Sequence, residues 1–347
     1  MATDPTYPLY PVLSILSAAL SLLILVGGLF RPSGNLNLGV GFLCFWLVLE
    51  NFANGISAII WFESADVKFH VYCDIVSRIH LVCPTINSLT TVIVIRRLYC
   101  IASLRPKGSY ASEWVLGSLV PMSVAGPLYY IVQGARFQVL EGFGCTYVIA
   151  HSLLGILLTQ AGTIIPSMLA FVLYYPKVIE FFHRHHKDMS RFSLALPTNY
   201  IRILAIASIN TMLLLPLNIV MLVLVLISPC EAGTLPFYPG WNVVHRNWDP
   251  ISVRYAVLQD RGAIGITLPY LMRWTSPVLA MVIFCLFGLT AEARASYRHM
   301  CSAICVSLGR KPVVTVHEQD VHNSSSTGES RGLHSLSGTA TSVMIIA

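Results

Sequence analysis

Long apolar stretches alternate with short polar ones over the first 290 residues of the chain, and the pattern changes abruptly after that. A helix needs about 20 apolar residues to cross the hydrocarbon core of a bilayer. Seven stretches reach that length: Pro11 to Phe30, Leu38 to Phe62, Cys73 to Tyr99, Trp114 to Val132, Tyr147 to Tyr175, Ile203 to Ser228 and Ala263 to Leu289. The separators are helix breakers or charged loops. Arg31-Pro32-Ser33-Gly34 stops the first span, Leu104 to Tyr110 is basic, and Lys177 to Arg191 is basic and rich in histidine. The longest loop, Pro229 to Gly262, carries Pro229, Pro236, Pro239, Trp241 and Trp248. From about residue 291 the chain is rich in Ser, Thr and Gly with few aromatics, so disorder is expected beyond a first amphipathic turn or two. The pattern predicts an all-α membrane protein, a seven-transmembrane helix bundle over residues 1–290 with a largely disordered tail over 291–347.

Composition agrees. Hydrophobic residues make up 55% of the chain and charged ones only 11%, against roughly 25% charged in soluble domains. No water-soluble fold hides that much apolar surface. The net charge of +6 does not point to nucleic acid, because the basic residues sit at span ends. Arg31, Arg96, Arg97, Arg105, Lys107, Lys177, Arg184, Lys187, Arg191, Arg294, Arg298, Arg310 and Lys311 fall on one side. Lys68, Arg136, Arg246, Arg254 and Arg261 fall on the other. The excess of basic residues marks the cytoplasmic face, so the N-terminus is expected outside and the tail inside. No positive residue precedes the first apolar run, as a cleaved signal would require, so that run is expected to be retained as a span.

Nine cysteines are present. Cys44, Cys83, Cys100 and Cys285 lie in or at the ends of apolar runs and read as small hydrophobes. Cys73, at the outer end of the third span, is expected to bridge to Cys145 in the second outer loop. Cys230 remains a rival partner for either. Cys301 and Cys305 stand close to the seventh span at helical spacing, the arrangement of palmitoylated juxtamembrane cysteines, with plain thiols as the alternative. Asn323-Ser324-Ser325 is a glycosylation sequon on the wrong side of the membrane for use. His183, His185 and His186 lack a companion cluster for a metal, and no metal or cofactor is expected.

Polar residues inside spans face protein or cavities rather than lipid. Asp74 and Arg78 are four apart on one face and are expected to form a local ion pair. Glu50 and Asn54 share that spacing, and His80, Asn87, His151, Gln160, Asn210 and Asn218 are further intrusions. Arg273, beside Trp274 in the outer half of the seventh span, is the strongest candidate for ligand or switch function. Enzyme readings start low: no H-E-x-x-H or G-x-x-x-x-G-K occurs, and the seventh span has no lysine for a retinal Schiff base.

Four stretches carry a resemblance. They are Cys73-Asp74-Ile75 with Arg96-Arg97-Leu98-Tyr99-Cys100-Ile101-Ala102, then Tyr130-Ile131-Val132-Gln133-Gly134-Ala135-Arg136-Phe137 with Gly144-Cys145. Asn199-Tyr200-Ile201-Arg202 follows, and last comes Arg273-Trp274 with Phe287-Gly288-Leu289-Thr290-Ala291-Glu292-Ala293 and Tyr297. In order and content the chain resembles the fungal receptors for prenylated mating pheromones, the a-factor receptor type of class D G-protein-coupled receptors. The resemblance implies a multi-pass plasma-membrane receptor for a short farnesylated peptide. It also implies signalling through a heterotrimeric G protein to a MAP-kinase cascade.

A farnesyl chain buried at about 0.8 kcal/mol per CH₂ is worth at most ~10 kcal/mol, much of which the bilayer already supplies. Selectivity therefore falls to polar contacts. The candidate ligand residues are Asp74, Arg78, Glu50, Arg136, His245, Arg246, Arg254, Arg273 and Trp274, with Trp241, Trp248 and Tyr255 as neighbours. Arg96, Arg97, Arg105, Lys107 and Arg202 are candidates for G-protein contact, and anionic lipid is the plainer partner for the same charges. Pro216 is a candidate hinge in the sixth span. A second copy of the chain, as a homodimer, is a further conceivable partner. The rival readings are a small-solute transporter or channel, for which internal repeats would be expected, and a receptor-like homologue that does not respond to pheromone.

Overall fold

The structure, a computed structural model, describes residues 5–29, 38–102, 110–180, 198–227, 235–260 and 262–307. Arg31, Arg105, Lys107, Arg184, Lys187, Arg191, Cys230, Arg261, the histidines at 183, 185 and 186, and the tail from residue 308 lie outside them. The chain divides into two compact units, Met1–Cys301 and Ser302–Ala347, and all seven spans belong to the first.

Seven helices are long and apolar enough to cross a membrane. They are α1 (Leu9–Leu29), α2 (Leu38–Ile60), α3 (His70–Ala102), α4 (Ala111–Val132), α5 (Leu153–Glu180), α6 (Thr198–Ile227) and α7 (Gly262–Ile283). An amphipathic α8 (Ala291–Ser307) follows. The third helix is the axis: 72% of its span is buried, against 28% to 56% in the others. Its serines, threonines and Asn87 let neighbouring helices approach and bond, as small and polar residues do where lipid removes the hydrophobic drive for association. Asn210 of α6 donates to the Asn87 carbonyl (2.9 Å) and to Thr91 Oγ1 (2.5 Å), and Ser167 of α5 bonds Ser88 (3.1 Å).

Several helices are irregular for identifiable reasons. In α4, Pro121 and Pro127 each withhold a backbone donor, and the helix contains π turns at Val115–Leu119 and Val124–Leu128. Further π turns occur at Ala170–Tyr174 in α5, which holds Pro166, and at Phe284–Gly288 after α7, which holds Pro269 and Pro277.

The fifth helix begins later than its apolar pattern predicts, at Leu153 rather than Tyr147. Residues 147–150 are drawn out as extended chain. Gly134 donates to the Val148 carbonyl (3.2 Å) and Ala150 to the Val132 carbonyl (2.8 Å). Ser152 then caps the helix, its Oγ accepting from the Gly155 amide at 3.1 Å.

One end of the bundle is closed by a small sheet that the hydropathy pattern did not announce. β1 (Gln138–Leu140) and β2 (Gly144–Thr146) form a hairpin from the α4–α5 loop, and β3 (Ile251–Val253) from the α6–α7 loop lies parallel to β1. The order is β2-β1-β3. Alternation sends Phe137, Val139 and Cys145 inward against Trp61, Val76 and Ala53. The hairpin turns on Gly142 and Gly144, both with φ near +80° (81° and 80°), where a side chain would be strained. At Gly144 a Cβ would also lie 2.5 Å from Ser57 Cβ, so the sheet seats directly on α2.

Candidate ligand-binding site

The third helix presents Cys73, Asp74 and Arg78 to the lid within two turns, and each is engaged. Cys73 is joined to Cys145 of β2, with 5.2 Å between the Cα atoms. Asp74 does not pair with Arg78 as their spacing suggested. It takes a bidentate ion pair from Arg136, at 3.0 Å and 2.6 Å, just before β1. The carboxylate beside it holds the Arg136 guanidinium above its ordinary pKa. Arg78 turns to α4 instead, donating to the Ala125 carbonyl (2.7 Å) and to Gln133 Oε1 (2.9 Å), with its guanidinium 4.5 Å from the Tyr129 ring centre. Gln133 passes the link on by donating to the carbonyls of Ala135 and Arg136. A long-range carboxylate partner thus replaced a neighbour on the same helix, which sequence spacing alone had no means to reveal.

Under the hairpin lies a second polar group of residues. Arg273 of α7 is only 8% exposed, and its Nη1 has no hydrogen-bond partner among the described residues. Phe143, the inward tip of the hairpin, lies 5.5 Å from the guanidinium and packs edge-on against Tyr270 at 4.9 Å. The charge of Arg273 also acts on Tyr10, Glu50, Tyr72 and His80. Glu50 faces Ser276 and Cys83. Among the described residues, the Tyr10 hydroxyl, Ser14 Oγ, Glu50 Oε2, Asn54 Oδ1, His80 Nε2 and Ser276 Oγ are buried without a hydrogen bond of good geometry. Trp274 meets the Tyr10 ring edge-on at 5.5 Å. Phe143, Tyr10 and Ser276 were not singled out by sequence reasoning. The flanking glycines of Phe143 were the available signal.

The other candidates are dispersed. His245 is half-buried, stacked between Trp241 (3.9 Å, 22°) and Trp248 (5.3 Å, 15°), and its ring nitrogens lie 3.1 Å and 2.9 Å from the carbonyls of Trp241 and Tyr130. It fastens the α6–α7 loop to the end of α4. Arg246 and Arg254 are exposed. At the opposite end, Arg96, Arg97 and Arg202 are half-buried, and Lys177 lies 5.4 Å from the Tyr99 ring centre. Cys301 is exposed on α8, and Cys305 lies in the same helix. Among the described residues no group of His, Cys, Asp and Glu is placed to hold a metal.

Seven membrane helices around a central third helix, with a disulfide-bridged lid over buried polar groups at one end and basic residues at the other, define a receptor-like membrane bundle. Residues 9–307 match the family described as STE3, pheromone A receptor, and the chain belongs to that family. It is similar to the pheromone B alpha 2 receptor of Schizophyllum commune, 28% identical over 298 residues, which cover 85% of this chain and 46% of that protein. The pheromone B alpha 3 receptor of Schizophyllum commune (strain H4-8 / FGSC 9210) is 27% identical over 317 residues, 88% of this chain and 49% of that one. Pheromone receptor 1 of Ustilago hordei is 24% identical over 275 residues, 76% and 75% of the two chains. The chain thus spans about half the length of the Schizophyllum relatives (46% and 49%). Among solved structures, squid rhodopsin aligns with a TM-score of 0.47 and 15% identity over 88% of this chain and 89% of that one. The family is one of receptors rather than enzymes, and this chain, with its seven spans, is a multi-pass protein of the plasma membrane.

Proposed function

We propose that this chain is a G-protein-coupled receptor for a farnesylated peptide mating pheromone, with the lid end outside the cell and the basic end in the cytoplasm. The observation that carries the reading is the buried polar group around Arg273, roofed by a hairpin that a disulfide ties to α3. Binding beneath or through this lid shifts the bundle toward the form that a heterotrimeric G protein prefers, by as much as the ligand's affinities for the two forms differ. Arg96, Arg97 and Arg202, together with Arg105 and Lys107, supply the basic surface for the G protein, which feeds a MAP-kinase cascade. Glu50, Arg273 and Trp274 are the ligand residues this reading favours. Asp74, Arg78 and Arg136 position the lid, and Arg246 and Arg254 offer surface charge to the peptide. Pro216, inside α6, is the hinge. Cys301 and Cys305 are the sites of lipidation.

The test is expression of the chain in a mating-competent fungal reporter cell that lacks its own receptor. Synthetic pheromone-like peptides from compatible cells are applied with and without the farnesyl group. A response to the farnesylated form alone supports the reading, and an equal or absent response to both forms removes the lipopeptide assignment.

A further inference from the structure

Arg273 and Glu50 carry opposite formal charges in the same buried neighbourhood, yet they form no ion pair, and each keeps an unpartnered polar atom. Among the described residues, Nη1 of Arg273 is a donor without an acceptor, and Oε2 of Glu50 is a buried oxygen without a partner. The nearest alternatives do not serve. The Tyr10 hydroxyl and Ser276 Oγ lie beside them but close no hydrogen bond of good geometry, and are themselves unpartnered. The aromatic face that Phe143 offers Arg273 attracts the cation without accepting a directed bond. Buried polar groups in folded proteins are overwhelmingly paired. A donor and an acceptor left open together, one on α7 and one on α2, therefore describe the complement of whatever completes them.

That complement carries an oxygen to accept from a guanidinium and an N–H to donate to a carboxyl oxygen. One planar peptide group has both. We propose that Arg273 and Glu50 form a binding subsite for a backbone peptide group of the ligand, with Arg273 Nη1 donating to its carbonyl oxygen and Glu50 Oε2 accepting from its N–H. The inference rests on the reading of the ligand as a farnesylated peptide and adds where and how the peptide part is held. Phe143 covers the subsite from the lid side, so occupancy is reported to the hairpin and through it to α3. Because a site built to hydrogen-bond a group strongly rejects analogues that lack it, the subsite supplies discrimination that a prenyl chain in a bilayer does not.

The experiment uses the full chain in lipid nanodiscs and three probes with the same tail. They are N-acetyl-S-farnesylcysteine N-methylamide, its analogue with every amide nitrogen methylated, and farnesyl ethyl thioether, which has no peptide group. The wild type is expected to bind the first at least tenfold more tightly than either of the others. Arg273→Met abolishes the advantage that the N-methylated analogue, through its carbonyls, holds over the thioether, Glu50→Leu abolishes the preference for the N–H form, and Glu50→Gln, which retains an acceptor oxygen, preserves it. If the variants do not fold, as judged by the Cys73–Cys145 bridge, the three probes on the wild type still decide the matter. Binding of all three with equal affinity overturns the subsite and leaves the lipopeptide reading standing. Failure of every farnesylated probe to bind overturns both.

Discussion

At the lid end, α3 is held by a disulfide, by the bidentate pair of Asp74 with Arg136, and by an arginine bonded to two groups of the α4 region. Toward the basic end, apolar side chains of the same helix carry much of its packing: Val94, Ile95 and Leu98 cluster with Ala170, Val178, Ile206 and Ile283. Directional bonds at one end specify a single arrangement and lose most of their energy when displaced. Dispersion contacts at the other end tolerate small sliding of packed helices, the shear by which many proteins switch. On the proposed reading, the end that directional bonds hold rigid takes the ligand and the end that can slide takes the effector.

The comparison breaks if the lid proves dispensable. Cys73→Ser is expected to cost the most, about 2–5 kcal/mol, as loss of a native bridge generally does. A purified variant that melts at the wild-type temperature would show that the lid does not need its covalent tie. Gly144→Ala comes next, at about 1–3 kcal/mol, because it demands a strained φ of 80° and a clash with Ser57. A crystal or cryo-electron map of that variant should show the hairpin lifted from α2.

Gln133→Leu removes the acceptor for Arg78 and the donor to two carbonyls, for about 1–3 kcal/mol, measured by denaturation in detergent. Asp74→Asn should cost less than any of these. Its pair with Arg136 is half-exposed, and the residual effect should fade between low and high salt. Lys177→Ala, at the basic end, should change stability by about 0.5 kcal/mol or less, since its side chain is exposed. A large loss there would sharpen the comparison in the opposite sense.

The number and type of spans were legible because lipid forces long uninterrupted apolar runs, and α1, α2 and α7 begin or end within a few residues of the runs that announced them. The lid was not. Strands of three residues carry too few side chains for a period-2 signal, and Tyr147 to Ala150 is apolar enough to pass for the start of a helix. Ser152, a capping residue, and the pair Gly142 and Gly144 were the local marks of the true boundaries. Arg273 beside Trp274 stood out in the sequence as a polar intrusion in the seventh span, and the Cys73–Cys145 bridge was readable there. The company Arg273 keeps was not, because Tyr10, Glu50, His80 and Phe143 come from four separate stretches of chain that meet only when the helices assemble. The same reason undid the expected pairing of Asp74 with Arg78: 62 residues separate Asp74 from its actual partner.

Loops of membrane proteins are the usual choice for placing tags, but the bend at Glu141–Gly142–Phe143 points the other way. Glu141 Oε2 accepts the Tyr255 amide at 2.8 Å, Gly142 donates to the Trp61 carbonyl at 2.7 Å, and Phe143 is 2% exposed. An epitope or fluorophore inserted at that bend has nowhere to go but into the helices. Labelling schemes for this chain should therefore treat this reversal as interior and take their attachment points from exposed positions such as Arg246 or Arg254.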